Sequence, residues 1–453
     1  MDLRDKTVMV IGSGISGTGA IEMLERLGAD TVLYDSNEKL DEESIRGRLR
    51  PDSRTRLIFG KIPEDVQASL SLVILSPGVP VDLPVVEAVE AANIPVWGEV
   101  ELAYQFGKGR IAAITGTNGK TTTTTLVGEI MKAAYPEVYV VGNIGRAYTG
   151  AALEMTDKAV TVAEISSFQL ETVEDFHPQV SAILNITPDH LDRHHTMQNY
   201  IDAKERIARN QKKADTCVLN YDDGYTRDFG TRTHASVIYF SRQHILDKGV
   251  YLEGDTFIYS DGSEKTAICK IGELKLLGAH NYENVMAAIG ISVAMGVSCD
   301  IIRNTILSFT GVEHRIEFVE EKKGVAYYND SKGTNTDAAI KAVEAMKRPT
   351  VLIGGGYDKH VEFDEWIKAF GEKVKWMVLI GATAKQIART AEKYGFTSFS
   401  FADTLEEAVK ACAEKAESGD AVLLSPACAS WGMFDNYEQR GRLFKDYVRA
   451  LPD

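Results

Sequence analysis

Short apolar runs closed by glycine or a polar turn alternate along most of this chain with stretches whose apolar positions recur at helical spacing. The short runs read as buried parallel strands and the periodic stretches as amphipathic helices, so the pattern predicts an α/β fold. The first run, residues 7–11, meets Gly12-Ser13-Gly14-Ile15-Ser16-Gly17 and then a helical pattern over 18–27. A second strand over 31–34 ends at Asp35. This opens a dinucleotide-type βαβ unit, with an acidic residue where a ribose or base can be bonded, although tight helix–strand packing demands the same glycines. A strand over 72–75 then runs into Ser76-Pro77-Gly78-Val79-Pro80, a sharp turn at the edge where open α/β sheets take their ligands.

The pattern restarts at residues 110–114 with a strand that enters Thr115-Gly116-Thr117-Asn118-Gly119-Lys120-Thr121-Thr122, and a helix follows over 122–134. Successive N–H groups in such a turn, with a helix N-terminus behind them, form an anion site. Lys120 adds a point charge toward outer phosphates, and Thr121 or Thr122 offers a hydroxyl to Mg²⁺. Ile114 stands where the full Walker spacing has its first glycine, and a plain loop with helix-starting threonines is the alternative. Nucleotide triphosphate binding is the expectation. Strands over 138–141, 159–163 and 180–184 deliver Asn143, Glu164 and Asp189-His190 near their carboxyl ends, which predicts a second nucleotide-binding α/β domain. Alternating stretches over 233–271 suggest added antiparallel strands, and helical periodicity returns over 281–295.

A third unit begins near Gly311, with strands expected at 350–353, 374–380 and 421–424 and helices at 336–346, 384–393 and 404–417. The expected organisation is an N-terminal Rossmann-like domain over 1–98, a central P-loop ATPase-like α/β domain with added antiparallel strands over 99–311, and a C-terminal Rossmann-like domain over 312–453.

Several side chains carry candidate chemistry. Glu164 can hold Mg²⁺ directly or through water, or cap a helix. His190, His194 and His195 raise the question of zinc, but the adjacent pair lacks the spacing of a closed structural site, and a hard cation with oxygen ligands and one imidazole suits the segment better. Surface or loop-stabilising contacts are expected of His194 and His195. Lys204, on a helix expected over 199–210, is a charge partner, a modified lysine or a solvated one. Asn281 and Asn284 share a helical face and can read a purine edge or a triphosphate, or act in capping. Arg315, Asp330 and Lys332 cluster at the start of the third domain, while Lys359 and Ser430 lie at strand ends suited to a small anion.

With a net charge of −15 over 453 residues and no basic stripe, a nucleic-acid partner is disfavoured. Five scattered cysteines without paired metal spacing read as reduced thiols. The N-terminal residues show neither a signal peptide nor a membrane span, so a cytoplasmic protein is expected.

The chain resembles the bacterial Mur ligases over its whole length. The marks are Gly116-Thr-Asn-Gly-Lys-Thr-Thr122, Glu164-Ile-Ser-Ser-Phe-Gln-Leu170, Asn185-Ile-Thr-Pro-Asp-His-Leu-Asp192, Gly278-Ala-His-Asn-Tyr-Glu-Asn284, His314-Arg315, Asn329-Asp-Ser-Lys-Gly-Thr-Asn335 and Ser425-Pro-Ala-Cys-Ala-Ser430. The second of these, with Asn329-Asp-Ser-Lys and Leu424-Ser-Pro-Ala-Cys-Ala-Ser, is similar to the members that add D-glutamate. The resemblance implies that Ile15, Ser16, Asp35 and Gly78 hold a uridine diphosphate sugar, and that Gly116, Thr117, Asn118, Gly119, Lys120, Thr121, Thr122, Asn281, Asn284, Arg315 and Asp330 bind ATP. It implies two magnesium sites organised by Thr121, Glu164, His190 and Lys204, the last as a carbamate, with Lys120 and Arg315 completing the catalytic set. Asn143, Ser166 and Gln169 would orient the sugar-linked substrate, and Lys332, Thr334, Lys359, Ser430 and Tyr437 would surround D-glutamate. Asn37 stands where some relatives have arginine, Gly333 where alanine is common, and Lys359 lies in a divergent glycine-rich segment.

The implied reaction phosphorylates the terminal carboxylate of UDP-N-acetylmuramoyl-L-alanine with ATP, and the D-glutamate amine attacks the acyl phosphate to give a tetrahedral intermediate that expels phosphate. This is a step of peptidoglycan precursor synthesis, and so of cell-wall biogenesis, cell shape and division. A monomer with neither nucleic-acid nor membrane partner is expected. Two rival readings of the sequence are folate polyglutamate synthesis and a nucleotide-binding scaffold without catalysis.

Overall fold

The computed structural model describes residues 2–276, 278, 280–359 and 361–452, and in it the apolar runs form three sheets. Ala279, inside one of the motifs above, lies outside the described residues. The first sheet has five parallel strands in the spatial order Arg56–Phe59, Asp30–Asp35, Thr7–Ile11, Leu70–Leu75, Val96–Gly98. Its central strand is buried on both faces, which explains the unbroken apolar run: Val8 and Val10 enter one core cluster, Met9 and Ile11 another. Strand order reverses beside Thr7–Ile11, so a crevice lies beyond the carboxyl ends of Thr7–Ile11 and Leu70–Leu75.

The second sheet has nine strands. Seven run in parallel contact in the order Val138–Gly142, Val160–Glu164, Arg110–Thr115, Val180–Ile183, Thr216–Asn220, Ser236–Ser241, Lys248–Glu253, and Thr256–Asp261 and Lys265–Lys270 add antiparallel pairs. The antiparallel expectation for 233–271 therefore applies to the last three strands but not to Ser236–Ser241. Those three are joined to one another by hairpin turns at Gly254 (φ 64°) and Gly262 (φ 101°), whereas Ser236–Ser241 is reached over the helix Gly224–Phe229, a crossover that delivers a parallel strand. Here too the order reverses at the strand that feeds the phosphate loop, Arg110–Thr115.

The third sheet runs Glu317–Lys322, Val325–Asn329, Ala421–Leu424, Thr350–Gly354, Val374–Leu379, Phe399–Phe401, with only the first strand antiparallel. The fold is thus three-domain α/β. Packing divides the chain into two compact units, Met1–Ile271 with Glu283–Ile306, and Gly272–Tyr282 with Leu307–Asp453. The first two sheets share a unit because the helix Glu99–Phe106 buries Val100, Leu102 and Ala103 in the same cluster as Val8 of the first sheet and Ile111 of the second.

Helix ends differ from the sequence reading where capping decides. The first helix is Ile15–Arg26, starting directly after Gly14 instead of at 18. The helix expected over 199–210 is Met197–Glu205, started by the Thr196 side chain accepting from Asn199 N–H, and it tightens into a 3₁₀ turn at Arg206–Ala208. Among the described residues no helix is long and apolar enough to cross a membrane.

Candidate functional site

The phosphate loop is built by two left-handed glycines. Gly116 (φ 152°) leaves the strand and Gly119 (φ 85°) caps the helix Lys120–Ala134. A Cβ on Gly119 would lie 2.2 Å from Asn284 Oδ1, so glycine is required by both conformation and space. The loop is tied to the segment after Val180–Ile183: Thr117 N–H donates to Asn185 O (2.9 Å), Asn118 N–H to Asn185 Oδ1 (2.8 Å), and Thr187 N–H to Thr117 Oγ1 (3.0 Å). Thr121 and Thr122 lie in the first helical turn. Gly119→Ala should therefore lower nucleotide affinity at least tenfold and cost about 2 kcal/mol of stability, read by calorimetric titration and by denaturant unfolding.

Two ammonium groups converge on one carbonyl here. Lys120 Nζ donates to Gly116 O and Thr117 O, both at 2.8 Å, and Lys204 Nζ donates to Gly116 O at 2.9 Å. Lys204 is 1% exposed and lies 4.6 Å from the centroid of the Tyr200 ring, so it is not a solvated helix-face lysine. Burial, and then the like charge of Lys120, pull its pKa down to about 7, against the opposing pull of Asp189.

Glu164 ends the strand beside the loop, in register with Ile114. It is buried; Oε1 accepts from Asn143 Nδ2 (2.9 Å), whereas Oε2 has no hydrogen-bond partner among the described residues. A buried carboxylate oxygen without a partner is costly unless something cationic meets it, so the donor chemistry fits Mg²⁺. No group of three or more His, Cys, Asp or Glu side chains that could hold a metal occurs among the described residues. His190 adopts a left-handed conformation (φ 52°) at the start of the short helix Leu191–His194; its ring is exposed and lies 5.0 Å from that of Phe168. His195 is exposed and 3.2 Å from Asp82 Oδ2. Of the two contacts expected for His194 the structure shows the loop-stabilising one: it is buried against Ser167 Oγ (3.0 Å) and Glu171 Oε1 (3.3 Å), and burial lowers its pKa.

Ser166 and Gln169 meet each other in a capping box: Gln169 N–H donates to Ser166 Oγ (3.2 Å), and Ser166 N–H donates to Gln169 Oε1 (2.9 Å). The Gln169 amide also reaches Glu99, a buried acid held by Thr149 N–H (2.8 Å) and Oγ1 (3.0 Å) whose pKa burial raises. In the first sheet, Asp35 Oδ2 accepts from Ser13 N–H (3.1 Å) and Oγ–H (2.7 Å). Ile15 is 82% exposed at the crevice, Ser16 is half-buried, and Gly78 is exposed with open space where a Cβ would stand. Gly12 and Gly17 are packing glycines: a Cβ on Gly17 would lie 1.9 Å from Gly12 O.

Asn281 and Asn284 are both buried on the helix His280–Ala294. In the C-terminal unit, Asp330 is buried at the end of Val325–Asn329, accepting from Ser425 Oγ–H (2.7 Å) and Ile316 N–H (3.3 Å). Burial pushes its pKa up to about 7 against those bonds and the charges of Arg315 and Arg440. A Cβ on Gly333 would lie 2.4 Å from Asp330 Oδ2, so glycine here serves close packing more than loop freedom. Lys332 Nζ lies 5.7 Å from the centroid of the Tyr437 ring and Lys359 Nζ 5.2 Å from that of Trp431; Ser430 is buried, Thr334 is half-buried and Arg315 is exposed.

The residue most clearly missed from sequence is Arg440. Its fully buried guanidinium donates to Ser331 Oγ (2.9 Å), Ser331 O (2.7 Å) and Cys428 O (3.2 Å), pinning the loop after Val325–Asn329 to the loop after Ala421–Leu424. Its signal was its place on the inner face of Tyr437–Ala450, with Gly441, Phe444 and Val448, but that helix was not anticipated.

Three family models match successive parts of the chain: the MurD-like N-terminal domain of Mur ligases (residues 6–98), the Mur ligase middle domain (114–292) and the Mur ligase glutamate ligase domain (314–428). A protein of Lachnospira eligens named UDP-N-acetylmuramoylalanine--D-glutamate ligase is 57% identical over 451 residues, covering 100% of both chains. One of the same name from Clostridioides difficile is 45% identical, again covering 100% of both. Among solved structures, UDP-N-acetylmuramate-alanine ligase MurC from Thermotoga maritima aligns with TM-score 0.58 at 20% identity, covering 98% of this chain and 99% of that one. MurF from Acinetobacter baumannii aligns with TM-score 0.58 at 17% identity, covering 98% and 93%; both likenesses concern the fold alone. With three domain matches in order and relatives aligned end to end, the chain belongs to the Mur ligase family.

Proposed function

We propose that this chain is the ATP-dependent ligase that joins D-glutamate to UDP-N-acetylmuramoyl-L-alanine with release of ADP and phosphate, in peptidoglycan precursor synthesis. The name shared by its full-length relatives supports the substrates. The observation that carries the chemistry is the phosphate loop built against a buried carboxylate with a spare oxygen.

In this reading the domains divide after residues 98 and 311. The crevice at Ile15, Ser16, Asp35 and Gly78 takes the uridine diphosphate end. Asn143, Ser166 and Gln169 orient the alanyl carboxylate. The loop Gly116–Thr122 cradles the triphosphate, Asn281 and Asn284 hold the nucleotide with Arg315 and Asp330, and Lys120 and Arg315 bear on the transferring phosphoryl group. Thr121, Glu164, His190 and Lys204 serve two magnesium sites. Bound Mg²⁺ supplies charge neutralisation at the triphosphate and polarises its oxygens. Lys204 enters as a carbamate: its ammonium first loses one proton, the nitrogen lone pair of the neutral amine then forms an N–C bond to CO₂ as one C=O π bond opens onto oxygen, and the nitrogen releases a second proton, so that a buried cation becomes an anion.

A carboxylate oxygen is a poor leaving group until phosphorylated, so this chain's task is to place phosphoryl donor and carboxylate together, stabilise charge with fixed donors and exclude water from the activated acid. Lys332, Thr334, Lys359, Ser430 and Tyr437 hold D-glutamate, whose free amine attacks the acyl phosphate carbonyl. The protein works as a cytoplasmic monomer.

The test is a matrix of phosphate-release assays with uridine-linked and folate acceptors against candidate amino acids, read by product mass. Release dependent on both UDP-N-acetylmuramoyl-L-alanine and D-glutamate is expected. Release with a folate acceptor, or ATP binding without turnover in any pairing, overturns the reading. Lys332→Ala should raise the KM for D-glutamate about 10- to 100-fold, the worth of a charged hydrogen bond, and leave that for the uridine-linked acceptor within twofold. Equal changes in both would remove Lys332 from the amino-acid pocket.

A further inference from the structure

We infer that Arg193 is a positioning residue that ties the turn after Leu70–Leu75 to the phosphate loop, so that the nucleotide-sugar acceptor and ATP tighten each other's binding. The inference rests on the functional reading above and goes beyond it by adding a coupling between the two sites.

A single guanidinium nitrogen of Arg193 donates to Val79 O (2.9 Å), next to Gly78, and to Glu171 Oε2 (2.6 Å). The side chains of the pair are 13% and 12% exposed, so neither bond is a screened surface contact. The other Glu171 oxygen lies 3.3 Å from His194 Nδ1, and His194 Nε2 lies 3.0 Å from Ser167 Oγ, the neighbour of Ser166. The His194 ring lies 5.2 Å from that of Tyr200, whose hydroxyl is 3.0 Å from Thr117 Oγ1 in the phosphate loop. The Arg193 guanidinium carbon also sits 5.1 Å over the Phe168 ring, which is 5.0 Å from the ring of His190. One side chain therefore touches the uridine-side turn, the wall behind His190 and the first link of a packed chain that ends at Thr117.

Close-packed interiors do not deform continuously. A displacement of the Val79 turn breaks an Arg193 bond or carries Glu171 and His194 with it. Ordering of this turn by the acceptor thus lowers the cost of ordering Thr117 for the nucleotide, and linkage makes the effect reciprocal.

The experiment is a pair of calorimetric titrations of a Mg²⁺-bound, non-hydrolysable ATP analogue into the full chain, with and without saturating UDP-N-acetylmuramoyl-L-alanine. In the wild type the acceptor should tighten the analogue about fivefold or more. Arg193→Met keeps the apolar stem over Phe168 and removes the donors; it should bring that ratio to within twofold of unity. Tyr200→Phe deletes only the hydroxyl at the far end and should lower the ratio in the same way, the ratio being taken against the variant's own affinity for the analogue alone. The double variant should lose no more coupling than either single one. A ratio unchanged in the variants, a wild-type ratio of one with both ligands bound, or full additivity overturns the coupling while leaving the ligase reading intact. Absence of acceptor binding to the wild type overturns both.

Discussion

Lys120→Ala should slow acyl-phosphate formation about 10³-fold in single turnover at saturating ATP, the scale set by removing one preorganised donor from developing charge. The ammonium is already delivered to the loop, held by Gly116 O and Thr117 O at 2.8 Å each. Since the loop's glycines and the Asn185 contacts do not depend on the lysine, nucleotide affinity should fall much less than the chemical step. Rapid-quench measurement of phosphoryl transfer checks this, and an unchanged chemical step would sink the assignment of Lys120 to the transferring phosphate.

The second large effect is expected at Lys204. Lys204→Ala should remove most ligase activity, about 10²-fold or more, and formate or acetate should restore a fraction of it. The motivation is electrostatic. Lys204 is buried, shares the Gly116 carbonyl with Lys120, and has its pKa pulled down to about 7 by burial and that like charge. An ammonium there opposes magnesium, whereas a carbamate made from the neutral amine joins its ligands. Labelling with ¹³C-bicarbonate should give a carbamate carbon signal in the wild type and none in Lys204→Ala. High-resolution density with an unmodified ammonium in the active, metal-bound enzyme would rule the carbamate out.

Much of the site's local chemistry was readable along the chain. The loop after residue 114 announced itself through glycine spacing and a following lysine, because only glycine takes φ 152° and φ 85° without strain and only a helix start leaves N–H groups free. Helix Ala384–Lys393 and strand Ala421–Leu424 occur at the residues read from periodicity alone. The edge strands Arg56–Phe59 and Phe399–Phe401 were not read, being short and partly exposed, so that burial leaves little apolar pattern in them. Glu317–Lys322 is a strand made mainly of charged residues, recruited by a tight turn at Lys323 (φ 51°) and Gly324 (φ 76°) into pairing with Val325–Asn329.

By itself the sequence determined the alternation of strands and helices, the two glycine-punctuated turns and the residues able to meet phosphate, metal and carboxylate. These are properties of neighbouring residues, settled by backbone freedom and by which face of an element is apolar. Only the tertiary structure decided the sheet orders, which set Arg110–Thr115 between Val160–Glu164 and Val180–Ile183 and so put the loop beside Glu164. It alone brought Lys204 against the Gly116 carbonyl, Ser13 onto Asp35, and Arg440 under Ser331 and Cys428. Periodicity records that a face is buried but not against what, and a burial partner distant in sequence is chosen by the packing of whole elements.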